Sequence, residues 1–157
     1  MADIAFRQTV PDDVFVIARD LREADRRELE ALRGKAVNVP LALAKAVRQS
    51  SHAWTAESAG APVALFGVAP ISLLEGIASP WLLGTDRVRF FARSLIRSGR
   101  WYADYMRAIY PTLLYNYVDA RNADSVRWLK RLGFNIHPPE AHGVSGLPFH
   151  RFEMRSK

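Results

Sequence analysis

A chain of 157 residues that is 49% apolar and 24% charged has the make-up of one globular domain with a real core, since chains of this size bury about two-thirds of their unfolded surface. It contains no cysteine, which excludes disulfides and thiolate metal sites and fits a reducing, cytoplasmic setting. A net charge of +6 and a pI near 10.1 draw it toward phosphate-rich or acidic partners, but charge spread over a whole surface chiefly sets solubility, so nucleic acid is the lesser reading.

The opening MADIAFRQTV lacks the positive start and apolar core of a signal peptide. Residues 4–7 make a short strand. Thr9 and Asp12 form a capping box for the next helix, with Pro11 in its first turn, where a missing N–H costs little. Val14, Ile17, Leu21, Ala24, Leu29 and Leu32 recur at helical spacing and predict one helix that runs on to a stop at Gly34. Its other face carries Arg19, Arg22, Glu23, Arg26 and Arg27. A second helix covers 41–49.

The uncharged run 58–74 is broken by Gly60, Pro62, Gly67 and Pro70, so it belongs to strands and not to a membrane span. HAWTAES and PVALFGVAP are two strands joined by Ser58-Ala59-Gly60. GIASPWLLG is a third, and its Pro80 cannot donate to a ladder, which marks an edge, a bulge or a place where neighbouring strands part. The long helix lies within 90–110, with an apolar stripe of Phe91, Leu95, Tyr102, Tyr105, Met106 and Ile109. Small Ser98 and Gly99 on that line let its backbone approach a sheet, while Arg93, Arg97, Arg100 and Arg107 line the outer face, the stretch nucleic acid would meet.

Strand LLYNYVD follows, then DARNADSVRWLKRLGFNI. Asn122 suits an N-cap, accepting from the N–H of Asp124 or Ser125. Asp124 early and Arg127, Lys130 and Arg131 late match the helix dipole. Gly133 is the left-handed stop, with Phe134 folding back onto Leu129. A last pair of strands lies around Asn135-Ile136 and from Phe149 to Met154, where His150 alternates with Phe152 and Met154 and faces inward. The order β-α-α-β-β-β-α-β-α-β-β, without repeat or linker, gives a single α/β domain of α+β character over 1–157, a mostly antiparallel sheet flanked by about four helices. None of the four histidines, His52, His137, His142 and His150, has metal-ligand spacing, so no metal is expected.

The stretch NADSVRWLKRLGF resembles the carboxy-terminal motif of the GNAT superfamily of acetyl-CoA-dependent N-acyltransferases. There an asparagine opens the helix after the fifth strand, a small residue follows three on, and Lys/Arg-x-Gly-Phe closes it. The element order matches that fold over nearly the whole chain. More narrowly, READRRE, PWLLGTD, NYVDARNADSVRWLKRLGF and PFHRFEM resemble phage-encoded GNAT-like proteins related to the internal virion protein A family of T7-like podoviruses.

The resemblance implies acetyl-CoA as cofactor, a small-molecule or protein amine as acceptor, and a setting in the host cytoplasm or the virion, with virion proteins as partners. It implies that the fourth and fifth strands splay so that the pantetheine arm inserts between them, held by the backbone of Trp81, Leu82 and Leu83. The pyrophosphate should meet N–H groups at the start of the long helix, which places Gly84, Thr85, Arg87, Arg89, Asn122 and Ser125 at the cofactor. Here the chain departs from the family: in place of Gln/Arg-x-x-Gly-x-Gly/Ala it has LGTDRVR, where only Gly84 remains and Asp86 repels phosphate unless it caps the helix.

Acyl transfer needs a deprotonated amine and a stabilised thiolate. The family's base, a glutamate on the fourth strand, corresponds to Glu75, whose other reading is an exposed strand-end carboxylate. Its general-acid tyrosine corresponds to Leu129, which leaves Tyr115 or Tyr117 as substitutes. In the family the first helices wall the acceptor cleft, so Arg22 and Glu23 either meet substrate or form solvated charge pairs. Two functions follow: an active N-acyltransferase, or a GNAT-shaped module that has lost catalysis and serves as a phage virion or binding component.

Overall fold

A computed structural model, described over residues 3–156, places helices on both faces of an eight-stranded sheet. The strands are β1 (Ile4–Gln8), β2 (His52–Ser58), β3 (Ala61–Ser72), β4 (Ile77–Gly84), β5 (Leu113–Asp119), β6 (Asn135–Ile136), β7 (Glu140–Ala141) and β8 (Pro148–Arg155). They run β1-β2-β3-β4-β5-β8-β6, with β7 also paired to β8. The neighbours are antiparallel except β4 and β5, which are parallel. Ala59 and Gly60 turn the β2–β3 hairpin with φ of 52° and 76°, the positive pair that matches the twist of the flanking strands.

Helix α1 (Pro11–Arg19) starts one residue later than the Thr9–Asp12 box would have it. With Pro11 fixed at the first helical position, Val10 is the N-cap and the Asp13 carboxylate accepts its N–H at 2.8 Å. Thr9 instead points its hydroxyl at Thr55, 3.0 Å away. The single helix predicted from Val14 to Leu32 is in fact two, because α2 (Glu23–Arg33) begins after a break. Leu21 leaves the helical path to bridge Thr85, and the Arg22 N–H donates to the Gly84 carbonyl at 2.9 Å. Backbone pairing to the end of β4 outweighs the helical preference of the local sequence. Helix α3 (Val39–Gln49) is capped by Asn38, whose Oδ1 accepts the Leu41 N–H at 3.0 Å.

A 3-10 turn (Asp86–Phe91) leads into α4 (Ala92–Ile109), and α5 (Ala123–Leu132) follows β5. On α4 the close neighbour of Gly99 is α5 and not the sheet: a Cβ there would lie 2.8 Å from Leu132 Cδ2. Asn122 caps α5 through the Ser125 N–H at 3.3 Å, and Gly133 ends it at φ 102°, with the Phe134 N–H on the Leu129 carbonyl. His150 is only half-buried, its Nδ1 2.8 Å from the His137 carbonyl.

Two cores hold the layers. Phe66, Val68, Leu95, Met106, Leu114, Leu129 and Phe152 fill the space between the sheet and α4 and α5. Val14, Ile17, Leu29, Leu43, Leu65 and Leu83 fill the opposite side under α1, α2 and α3. Full burial of each such side chain contributes about 1.5–3 kcal/mol. No helix among the described residues is long and apolar enough to cross a membrane.

What the fold positions is a gap. Strands β4 and β5 pair only at Ile77–Leu113 and Ala78–Leu114. Beyond that rung β4 stays with β3 as far as Gly84, and β5 stays with β8 as far as Asp119. Each strand is committed to its outer partner, so the two diverge, and Pro80 stands where they part.

Candidate active site

Backbone polar groups along a strand alternate in direction, like its side chains. The Pro80 carbonyl accepts from Asn116 Nδ2 at 2.9 Å, and the Gly84 N–H donates to Asp25 Oδ2 at 2.9 Å. Both groups turn away from β3, so Leu82 between them turns its N–H and C=O into the gap as well. There Leu82 lines a cavity of about 160 Å³ together with Asn116, Tyr117, Trp128, Asp25 and Glu28. Pro80 has no N–H to offer, and its carbonyl is taken by Asn116. The rung at Leu82 is the one that faces the opening.

Helix α2 spans the mouth of the gap with two carboxylates one turn apart. Asp25 holds the end of β4 through Gly84, while Glu28 Oε1 accepts the Asp119 N–H at the end of β5, at 2.7 Å. Asp25 is also gripped by Arg22, through Nε at 3.1 Å and Nη2 at 2.8 Å, and Nη2 reaches on to Ser125 Oγ at 3.1 Å. Burial opposes the charge on Arg22, but the bonds to Asp25 outweigh it and raise its pKa. Asp119 is buried too, yet Arg121 on its carboxylate at 2.7 Å holds its pKa below the usual range. Glu28 has no such partner: burial, with the charges of Asp25 and Asp119 adding to it, pushes its pKa up to about 8.

Outside the mouth, α4 and α5 enclose a second cavity of about 290 Å³ whose wall carries Arg22, Arg89, Arg127 and Arg131 beside Asp124. Arg127 pairs with Asp124. The Trp128 indole N–H is buried without a hydrogen-bond partner among the described residues, and Trp128 lines both this cavity and the gap. An unmet buried donor costs on the order of 1–3 kcal/mol, which a ligand carrying acceptors would relieve. Guanidinium groups suit phosphate oxygens in particular.

The residues named from sequence fall in several places. Leu82, Ser125 and Arg89 line the cavities, and Asn122 caps α5 beside them. Trp81 and Leu83 line the gap cavity too, but from the α1–α3 side, where Trp81 Nε1 donates to Ser50 Oγ at 2.7 Å. Gly84 and Thr85 are buried, and their polar groups are engaged: the Thr85 N–H and hydroxyl donate to the Val63 carbonyl, each at 3.0 Å. The Arg87 N–H lies on Thr85 Oγ1, and the Val88 N–H on the Thr85 carbonyl. The Thr85, Arg87 and Val88 N–H groups ahead of α4 are thus already engaged. Arg87 itself leans away, toward the Ser58 carbonyl at 3.4 Å.

Glu75 requires a correction. It is exposed in the turn before β4, beyond the paired end of β4 and β5, and lines none of the cavities described here. Tyr115 and Tyr117 share a face of β5, but only Tyr117 lines the gap, stacked 3.8 Å from the His142 ring; Tyr115 sits 4.3 Å from the Arg151 guanidinium. Arg22 is no solvated surface charge, with only 14% of its side chain exposed, whereas Glu23 makes the exposed pair, with Arg27 at 3.4 Å. Sequence reasoning missed Asp25, Glu28, Asn116, Arg127 and Arg131. The signal was faint: Asp25 and Glu28 lie at i and i+3 on one helical face, and Arg127 and Arg131 at i and i+4 on another. Among the described residues no group of three or more His, Cys, Asp or Glu side chains is placed to hold a metal ion.

No protein-family model and no curated protein matches this sequence. Solved structures do. Spermidine N-acetyltransferase from Vibrio cholerae, in complex with CoA and spermine, superposes with a TM-score of 0.70 at 15% identity, over 98% of this chain and 95% of that one. YncA from Salmonella typhimurium, with acetyl-CoA as its cofactor, gives 0.69 at 14% identity over 98% and 94%. An acetyltransferase of the GNAT family from Streptococcus pneumoniae gives 0.64 at 15% identity over 99% and 100%. The fold is therefore the GNAT fold, over the full length of proteins that carry it.

Proposed function

We propose that this protein is a GNAT-type N-acyltransferase that moves an acetyl group from acetyl-CoA to an amine. One observation carries the reading: beyond Ala78, β4 and β5 part, and the Leu82 backbone is left as a free rung inside the gap. The pantetheine arm of coenzyme A bears two amides on an extended chain, which an open strand edge accepts as it would an added strand. Its phosphates suit Arg89, Arg127 and Arg131 outside the gap, and its acceptors suit the unmet Trp128 N–H. Binding would thus rest on guanidinium side chains and not on a glycine-rich nest of N–H groups.

The bound thioester supplies the activated acetyl group. Every other task falls to the chain. Leu82 orients the arm, Asn122 and Ser125 shape the start of α5 beside it, and Glu28 presents a carboxyl oxygen to the acceptor amine from the cavity wall. Tyr117, which lines the gap, replaces the tyrosine absent at Leu129 as proton donor to the departing sulfur. Calorimetric titration with acetyl-CoA tests the reading. Saturable binding that CoA competes away is expected; no heat at any concentration would remove it.

A second reading has its own support. Asn116 bridges to Pro80 across the narrow end of the gap, and Thr85 engages the turn before α4, so protein groups occupy positions that a coenzyme tail would use. Together with the narrower resemblance, this favours a phage-encoded GNAT scaffold that serves in the host cytoplasm or the virion as a binding component. Turnover of acetyl-CoA with spermidine, butylamine or an alanine-terminated peptide would eliminate it.

A further inference from the structure

We propose, on the acyl-transfer reading, that the Glu28 carboxylate is the base that takes the proton from the acceptor's ammonium group in the cavity between β4 and β5. Three features of the site assign the role. Glu28 is fixed: Oε1 accepts the Asp119 N–H at 2.7 Å, which holds the side chain at the cavity wall with Leu82 and Tyr117. Its second oxygen accepts no hydrogen bond from any described residue, so it is open to a donor arriving in the cavity.

The neighbouring carboxylates are excluded by their partners. Asp25 is bonded to Arg22 and Gly84, Asp119 to Arg121, and Glu75 stands outside the cavity. The third feature is the setting. The charged and titratable groups around Glu28 are Arg22, Asp25 and Arg33 from the α2 side, and Tyr117 and Asp119, the latter bound by Arg121, from β5. Arg22 is held by Asp25, so burial governs Glu28 and raises its affinity for a proton. A carboxylate held above its ordinary range takes a proton from an ammonium group more readily than an exposed glutamate does, and the rate should rise as pH passes through about 8.

In the step itself, an N–H bond of the ammonium breaks and an O–H bond forms on Glu28 Oε2. The freed nitrogen lone pair attacks the thioester carbonyl carbon, a C–N bond forms and the C–S bond breaks. The departing thiolate takes the Tyr117 hydroxyl proton, Tyr117 takes the second nitrogen proton in its place, and Glu28 returns its own to solvent.

Glu28→Gln is a clean probe, because the amide keeps an oxygen for the Asp119 N–H but cannot take a proton. With acetyl-CoA and spermidine, kcat is expected to fall by at least ~100-fold, the lower range for loss of a general base, while acetyl-CoA affinity by calorimetry stays within about twofold. Glu28→Asp should recover part of the rate. A second readout needs no coenzyme: with glutamate labelled at Cδ, one carboxyl carbon signal should titrate near pH 8 and vanish in Glu28→Gln. Turnover unchanged in Glu28→Gln, or a Glu28 signal that titrates in the ordinary carboxylate range, overturns the proposal and leaves acyl transfer standing. If wild-type protein neither binds nor turns over acetyl-CoA, the acyl-transfer reading falls and the proposal falls with it.

Discussion

Asp25 and Gly84 are 59 residues apart in the chain, yet the Asp25 carboxylate accepts the Gly84 N–H at 2.9 Å in the buried mouth of the β4–β5 gap. The same carboxylate carries the Arg22 guanidinium, so one side chain joins the break between α1 and α2 to the end of β4.

Removing it should be costly. Asp25→Ala leaves Arg22 charged and largely buried and orphans the Gly84 N–H. Loss of one partner from a buried ion pair typically costs about 3–5 kcal/mol. Urea unfolding should show a loss in that range, and Asp25→Asn, which keeps an acceptor for Gly84, should lose less. A loss below ~1 kcal/mol for the alanine variant would show that the junction does not hold the mouth together.

The stability of the protein should carry the signature of Glu28. Its folded pKa, about 8, lies above the ordinary 4.5. The fold therefore favours the protonated acid, and this contribution is complete below the ordinary pKa and fades as pH rises through about 8. Glu28→Gln should match wild type at acidic pH and exceed it above pH 8. With water reaching the cavity, the gain is on the order of 2 kcal/mol, or roughly 5 °C in Tm for a chain of this length. Thermal melts at a series of pH values check this; a difference that does not vary with pH contradicts it.

Arg89 and Arg131 are exposed and line the outer cavity. Arg89→Ala and Arg131→Ala should each weaken acetyl-CoA binding by about tenfold, the value of one charge-assisted contact to phosphate. Their melting temperatures should stay within ~1 °C of wild type, as surface substitutions do. Calorimetry at two salt concentrations gives the affinity and its electrostatic share. Affinity that is unaltered in both variants would move the phosphates elsewhere.

Much of the fold was legible in the chain. LLYNYVD marks a strand whose bounds the structure reproduces, and the Asn122 cap, the Gly133 stop and the Ala59-Gly60 turn follow from local chemistry. The break before α2 was not legible, because Leu21 keeps the helical period and leaves it only to bridge Thr85, a partner 64 positions away. The site was harder still. Glu75 stands next to β4 in sequence, but which end of a strand borders a gap depends on pairing to β3 and β5. Asp25 and Glu28 sit among four other charges in READRREL, where a carboxylate looks solvated until the helix is laid across the sheet. The rung at Leu82 is backbone, and its freedom is set by what β5 does beyond Leu114.

The amide of Leu82 tests the central geometry most directly. Hydrogen exchange followed residue by residue should find it fast in the free protein, while the Gly84 amide, bonded to Asp25, is slow. Adding acetyl-CoA should then slow Leu82 sharply and leave Gly84 as it was. An amide at Leu82 that is already protected in the free protein, or that acetyl-CoA leaves unchanged, would contradict an open slot between β4 and β5.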